Sequence, residues 1–377
     1  MDYAATTPVD PRVVEAMLPY FTEKFGNSAT LYSIGQEAEA VLEDCRRNVA
    51  KLLGTKPSEI FFTSGGTESD NLALKGIAFA NKSRGRHIIT SQIEHHAVLH
   101  PAEWLEKQGF RVTYLPVDKY GMVSPENVEK AISEDTILVS IMHGNNEIGT
   151  IEPIEEIGKI CKEHGIYFHT DAVQTVGKIP ISLKNVDLLS SSSHKIYGPK
   201  GVGIIFIKEG TKIEPIIHGG GHEHGMRSGT ENIAGIVGYT KALELCIKEM
   251  KPETKKLLKF RKRLIEEIDK IPDCWLNGHP EKRLPGNVHF CFRFIEGESL
   301  ILLLDQKGIE ASTGSACSSK SLKPSHVLTA IGLKPEEAHG SLRLTMGRFT
   351  TEEDVKKVIE ILPGVVERLR KISPLGK

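Results

Sequence analysis

From Ile60 to Ile207 the chain repeats one pattern: an apolar run the length of a strand, and a polar cluster where the run ends. Ile60–Thr63 runs into Ser64-Gly65-Gly66-Thr67, and His87–Ser91 into Glu94-His95-His96. Residues 136–142 run into His143-Gly144-Asn145-Asn146-Glu147, and residues 166–170 into Asp171-Ala172-Val173-Gln174. Val186, Leu188 and Leu189 lead into four serines, His194 and Lys195, and a further apolar run follows at 202–207. Segments with helical spacing at 71–80, 125–132 and 154–164 fall between these runs. Strands that alternate with helices predict a mainly parallel sheet with helices on both faces. In such a sheet the ligand lies beyond the carboxyl ends of the strands. The polar clusters fall there, so one site built from many strand ends is expected.

At 377 residues, two domains are the natural expectation. Residues 235–271 read as a long amphipathic helix with a break at Pro252. The boundary is placed there, giving a large domain at 12–250 and a small one from 1–11 and 251–377. The second part reads as a smaller α+β unit, with strands at 287–294, 309–312 and 341–346 and helices at 298–307, 325–331 and 352–370.

A lysine just past a buried strand, if desolvated, loses part of its ammonium character and forms an imine with an aldehyde. Lys195 sits in that position, although a solvated loop lysine fits the local sequence as well, and spacing alone does not separate it from Lys200. Gly65-Gly66-Thr67 between a strand and a helix suits an anion. Pyridoxal 5'-phosphate carries both an aldehyde and a phosphate. Such a cofactor also needs a carboxylate at its ring nitrogen, which Asp171 suits, and an N-cap is the competing role for that residue. Gln174 suits the phenolic oxygen, and His95 a place against the ring. Arg343 stands in an apolar strand pattern, where a carboxylate partner is required: the substrate's or an internal one.

The net charge of −1 argues against bulk binding of nucleic acid or an anionic membrane. No apolar run approaches membrane-spanning length, and the N-terminus lacks a signal core, so the expected place is the cytoplasm. The six cysteines form neither a disulfide framework nor a zinc signature. Cys317 differs from the rest: no bulky apolar residue occurs from Ser312 to Lys320, so an exposed, movable thiol is expected. The loop His218–Asn232 holds three histidines and a glutamate, but its glycines fix ligand geometry poorly, and no metal is assigned.

The motifs T-S-G-G-T-E-S-D-N, H-G-N-N-E-I-G-T, T-D-A-V-Q-T-V-G-K, S-S-H-K-I-Y-G-P-K-G-V-G, G-G-G-H-E-H-G-M-R-S-G-T-E-N and S-T-G-S-A-C-S-S resemble those of cysteine desulfurases of the NifS/IscS type. The likeness runs almost end to end. It implies the pyridoxal-phosphate transferase fold of type I and a homodimer with shared sites. It selects Lys195 as the imine lysine. It implies that Gly66, Thr67, Ser192 and His194 hold the phosphate, with Thr230 doing so from the partner subunit. Asn146 and Arg343 are implied for the substrate carboxylate, and Cys317 as the sulfur acceptor. The implied reaction takes L-cysteine to L-alanine, with a persulfide on Cys317 that passes to an iron–sulfur scaffold or a tRNA-thiolating protein. A selenocysteine lyase or other β-lyase is the nearest alternative. A non-catalytic scaffold, with Cys317 ligating a cluster in a partner complex, is the other. Gly144 stands where such enzymes often carry a bulkier residue, which predicts a looser substrate side.

Overall fold

The computed structural model describes residues 1–314 and 324–373. Its larger sheet has seven strands: β1 (Ile60–Thr63), β2 (His87–Ser91), β3 (Arg111–Leu115), β4 (Thr136–Ser140), β5 (Tyr167–Asp171), β6 (Leu188–Ser192) and β7 (Gly203–Ile207). They lie in the order β1-β7-β6-β5-β4-β2-β3, and only β7 runs against its neighbours. The mainly parallel sheet is therefore present. Its two faces bury alternate residues of the same strands, as a pleat requires. Ile88, Leu138, Leu188 and Ile205 pack on one face, and Ile89, Val139, Leu189 and Ile204 on the other.

The helices that cover these faces begin and end on local signals. Asp10 caps the helix Pro11–Met17 by accepting from the Arg12 N–H, and Gly54 ends the helix Ser33–Leu53 with φ 71°. After β1 the helical run begins at Gly66, five residues before the sequence predicts. Ser64 and Gly65, the latter at φ 149°, complete the turn in two residues, after which the chain winds at once.

A second sheet holds β8 (Cys274–Leu276), β9 (Asn287–Phe292) and β10 (Ser341–Thr345), antiparallel in the order β10-β9-β8. Its own core includes Leu257, Phe260, Val288, Phe290, Leu342 and Val355. Residues 309–312 form no strand; Ser312 makes one isolated bridge to Arg343. The expected break at Pro252 is also absent, since one helix runs unbroken from Ile233 to Ile268. Tyr239 and Leu243 anchor its first half in the large core, and Leu257 and Phe260 its second half in the small one. Packing at both ends outweighs the one hydrogen bond that a proline removes.

Candidate active site

The strand ends converge on a cavity of about 290 Å³. Gly66 and Thr67 reach it from the turn after β1, and His95 from the turn after β2. Asn146 enters after β4, Asp171 and Gln174 from the end of β5, and Ser192, His194 and Lys195 from the end of β6. Arg343 enters from β10 of the second sheet. Ten residues singled out in the sequence thus share one wall. Thr230 does not; it is exposed and does not line this cavity. Cys317 lies outside the described residues.

Lys195 ends a short turn, Ser193–Lys195, directly after β6. Residues near the N-terminus fasten this turn. The Thr7 N–H donates to the His194 carbonyl at 2.9 Å, and the Tyr197 N–H to Thr7 Oγ1 at 2.9 Å. Tyr197 is held at φ 66°, which only such bonding sustains in a bulky residue. Lys195 Nζ donates to the carbonyls of Ala4 at 2.6 Å and Ala5 at 2.7 Å.

Asp171 Oδ1 accepts from the Val173 N–H at 2.9 Å. Burial pushes its carboxyl up to about 6, while that N–H and the Lys195 charge pull the other way. Asp70, not foreseen from the sequence, lines the same cavity with one oxygen unpartnered among the described residues. Its Oδ1 is 3.5 Å from His169 Nε2, and burial and the charge of Asp171 hold its carboxyl well above the usual range. His169 is kept neutral by burial, pushed down to about 3, with its nitrogens at 2.8 Å from Ser140 Oγ and 3.0 Å from Ser190 Oγ. Two buried carboxyls that feel each other's charge resist ionising together. Asp171, with an N–H and a cation beside it, carries the charge, and Asp70 the proton.

His95 caps the helix His96–Lys107, accepting from the Ala97 N–H through Nδ1 at 3.1 Å. Its proton therefore sits on Nε2. Burial first, then Lys195 and the neighbouring histidines, push it down to about 4, so the ring is neutral at pH 7. Gln174 donates through Nε2 to the Ala4 carbonyl at 3.0 Å and accepts from Lys178 at 3.2 Å, which fixes which way its amide faces. His194 is likewise neutral, pushed down to about 4 chiefly by burial.

Arg343 is 2 % exposed. Its Nη1 donates to the Asn146 carbonyl at 3.0 Å and its Nη2 to Asp2 Oδ1 at 2.9 Å. Glu147, also missed in the sequence, accepts from Ser325 Oγ at 2.5 Å; burial pushes it up to about 7 against the pull of Arg343. An acidic residue one step past a candidate strand-end asparagine was the available signal. Gly144 does not loosen the wall, contrary to expectation. A Cβ there would come within 2.7 Å of Thr175 Cγ2, so the backbone is already close-packed.

Other candidates are taken up structurally. Glu223 of the histidine-rich loop makes a two-pronged pair with Arg46, at 2.8 and 2.9 Å. Among the described residues, no group of three or more metal-ligating side chains is placed to hold an ion. Burial pushes the thiols of Cys161, Cys246 and Cys291 up to about 12, that of Cys274 to about 11, and that of Cys45 above its usual value. None of these five is a thiolate at neutral pH.

The buried carboxyls fix a pH dependence. Burial pushes Glu94 up to about 8 and Glu147 to about 7. Burial pushes His143 and His169 down to about 4 and 3, and an unfolded histidine, half-protonated at about pH 6.5, is mostly neutral by about pH 7. In the window from about pH 7 to 8 the buried carboxyls therefore leave the folded chain with more bound protons than the unfolded one, an excess that Lys178, pushed down to about 8 by burial, reduces only toward the upper end, and stability falls as pH rises. Calorimetry of the cofactor-free protein is expected to give a Tm lower at pH 8 than at pH 7 by roughly 1–3 °C. Glu94→Gln should flatten that slope, and a Tm that climbs over the window would refute the assignment.

The family model for class-V aminotransferases matches residues 1–358. A cysteine desulfurase IscS from Methanosarcina thermophila is 60% identical over 377 residues, covering 100% of this chain and 93% of the relative. A solved NifS-like protein superposes with a TM-score of 0.92 at 43% identity, over 98% of this chain and 99% of the other. A structure described as SspA in complex with cysteine superposes with a TM-score of 0.82 at 38% identity, over 93% and 99%.

Proposed function

The chain belongs to the class-V aminotransferase family, and from that premise we propose that it is a pyridoxal 5'-phosphate-dependent cysteine desulfurase that supplies sulfur to an acceptor protein. The observation that carries the reading is the meeting of Lys195, Asp171, His95 and Arg343 on one cavity in a chain 60% identical to a cysteine desulfurase.

The residues fit the cofactor. Asp171 offers a buried carboxylate with a cation beside it. Gly66 and Thr67, at the start of the helical run after β1, line the cavity with Ser192 and His194, a placement that suits a phosphate, and at Gly66 a Cβ would lie 2.7 Å from Val173 Cγ2, so glycine is what fits there. When bound, pyridoxal phosphate supplies an aldehyde that bonds an amine and a ring that withdraws electrons from the carbon next to that amine. Lys195 holds the cofactor and moves the proton at the substrate Cα. Asp171 keeps the ring nitrogen protonated, and the Gln174 amide donates to the phenolic oxygen. Arg343 and Asn146 hold the substrate carboxylate. His95, neutral with its proton on Nε2, exchanges a proton at the reacting atoms. The thiolate of Cys317 attacks the substrate sulfur: an S–S bond forms as the C–S bond breaks, and the carbon keeps the electron pair and gains a proton. Alanine leaves, and the persulfide remains for an iron–sulfur scaffold or a tRNA-thiolating protein. The raised pKa of each of the five described thiols supports giving that role to Cys317.

We assign a homodimer on two supports. Leu18, Phe21, Phe25, Leu31 and Tyr32 are exposed in one stretch of sequence, Leu31 by 90%. Ser28 Oγ donates to Glu231 Oε2 at 2.7 Å, which ties that stretch to the loop bearing Thr230. A second copy on this face would cover the apolar side chains and receive Thr230 at its own phosphate site. The two lobes divide near residue 250, with 1–11 grouped with 251–377. Among the described residues no helix is long and apolar enough to cross a membrane. We place the protein in the cytoplasm, where free thiols persist.

Incubating the protein with L-cysteine and cofactor tests the reading. Alanine and protein-bound persulfide are expected in equal amounts at first turnover. Cys317→Ser should abolish both, a loss of at least ~10³-fold. Pyruvate and ammonia that survive the substitution would mean β-elimination instead.

A further inference from the structure

Arg343 is a buried cation with an incomplete set of partners. Its guanidinium carries five N–H donors. One goes to the Asn146 carbonyl and one to Asp2, while Nε has no partner among the described residues. Asp2 is itself held from two further sides: Ser312 Oγ donates to its Oδ2 at 2.5 Å, and its backbone bridges to Thr345 beside Arg343 on β10. Ser312 in turn pairs with Arg343 through the backbone, the Arg343 N–H donating to the Ser312 carbonyl at 2.7 Å. The Asp2 carboxylate is therefore the fixed member, and the long arginine side chain is the one it fixes.

We propose that Asp2 is a positioning residue that aims Arg343, and so sets the affinity of the site for the carboxylate of its amino-acid substrate. The proposal rests on the reading of Arg343 as the carboxylate binder. A free arginine side chain samples many rotamers, and binding that must first freeze one of them is weakened. Asp2 grips one edge of the fork, and Asn146 O grips the other nitrogen. The guanidinium plane is then set before substrate arrives. Asp2 also balances a charge that would otherwise be stranded at 2 % exposure. Because Asp2 and the substrate carboxylate are both anions near one cation, the rival outcome is competition, in which removing Asp2 would tighten binding.

The test reads ligand binding from the visible spectrum of the cofactor-loaded protein, with two probes. L-Alanine carries the carboxylate; cysteamine has the amine and thiol but no carboxylate. Asp2→Ala is expected to weaken alanine binding roughly three- to tenfold, and to leave cysteamine binding unchanged. KM for cysteine should rise by the same factor with kcat within about twofold. Asp2→Asn keeps an acceptor for Nη2 and should restore most of the affinity. The double variant with Arg343→Ala should bind alanine no worse than Arg343→Ala alone. Tighter alanine binding in Asp2→Ala overturns the proposal, as does an equal loss for both probes or no change. If Arg343→Ala also leaves alanine affinity unaltered, the carboxylate-binding role falls with it. If Arg343→Ala weakens alanine and Asp2→Ala does not, only the role of Asp2 falls.

Discussion

Lys195→Ala protein is expected to bind pyridoxal phosphate only non-covalently, so that borohydride reduction no longer fixes it to the chain, and to form alanine from cysteine at least ~10³-fold more slowly. The size of the effect follows from the lack of a substitute. Lys195 is the lysine that lines the main cavity among the described residues. Lys178 lines a separate, smaller cavity and is engaged by Gln174. Lys200 lies in the turn beyond Tyr197 and does not line the main cavity either. The loss is chemical rather than structural if Lys195→Arg, which keeps a cation for the Ala4 and Ala5 carbonyls, folds normally and is as inactive as the alanine variant. Borohydride reduction and single-turnover alanine formation measure both points. Cofactor that borohydride still fixes to Lys195→Ala, with alanine formed within tenfold of the parent rate, would remove the central residue of the mechanism.

Asp171→Asn is expected to reduce turnover by roughly 10²–10³-fold, the range that corresponds to breaking a buried charge pair. It should also move the cofactor-free protein in the opposite direction. Burial opposes the ionised form of this carboxyl, which is pushed up to about 6. Above that pH the folded chain holds a charge that water would stabilise better, so the neutral amide should raise Tm at pH 8 while it weakens cofactor binding. Fluorescence titration with pyridoxal phosphate and calorimetry without it separate the two effects. A lower Tm together with unchanged cofactor affinity would assign Asp171 a purely structural place.

The parts of this site that lie at strand ends were readable in the sequence, because a buried strand and its terminating polar cluster are written next to each other. Asp171 follows directly from that rule; Lys195 also ends a strand, but only the resemblance of the surrounding motif separates it from Lys200. Asp70 and Glu147 did not stand out, since each is one polar letter among several and only burial sets it apart. Asp2 was unreadable for a different reason: its partner is 341 positions away, and no local pattern encodes a pairing at that distance. In the fold, β8 is three residues long and half-buried, too short for a periodic signal. The helix Ile233–Ile268 continued through Pro252 because the cores at its two ends, and not its local propensity, decide its course.

The span of the contacts that residues 2–5 make also bears on synthesis. Asp2 and Ala4 leave the ribosome more than three hundred residues before Arg343 and Thr345, to which they bond. A chain halted part-way can hold every strand of the large sheet, but it lacks His326 and Arg343 of the cavity wall. On the proposed roles, a fragment that ends before β10 would hold Lys195 but lack the arginine assigned to the substrate carboxylate.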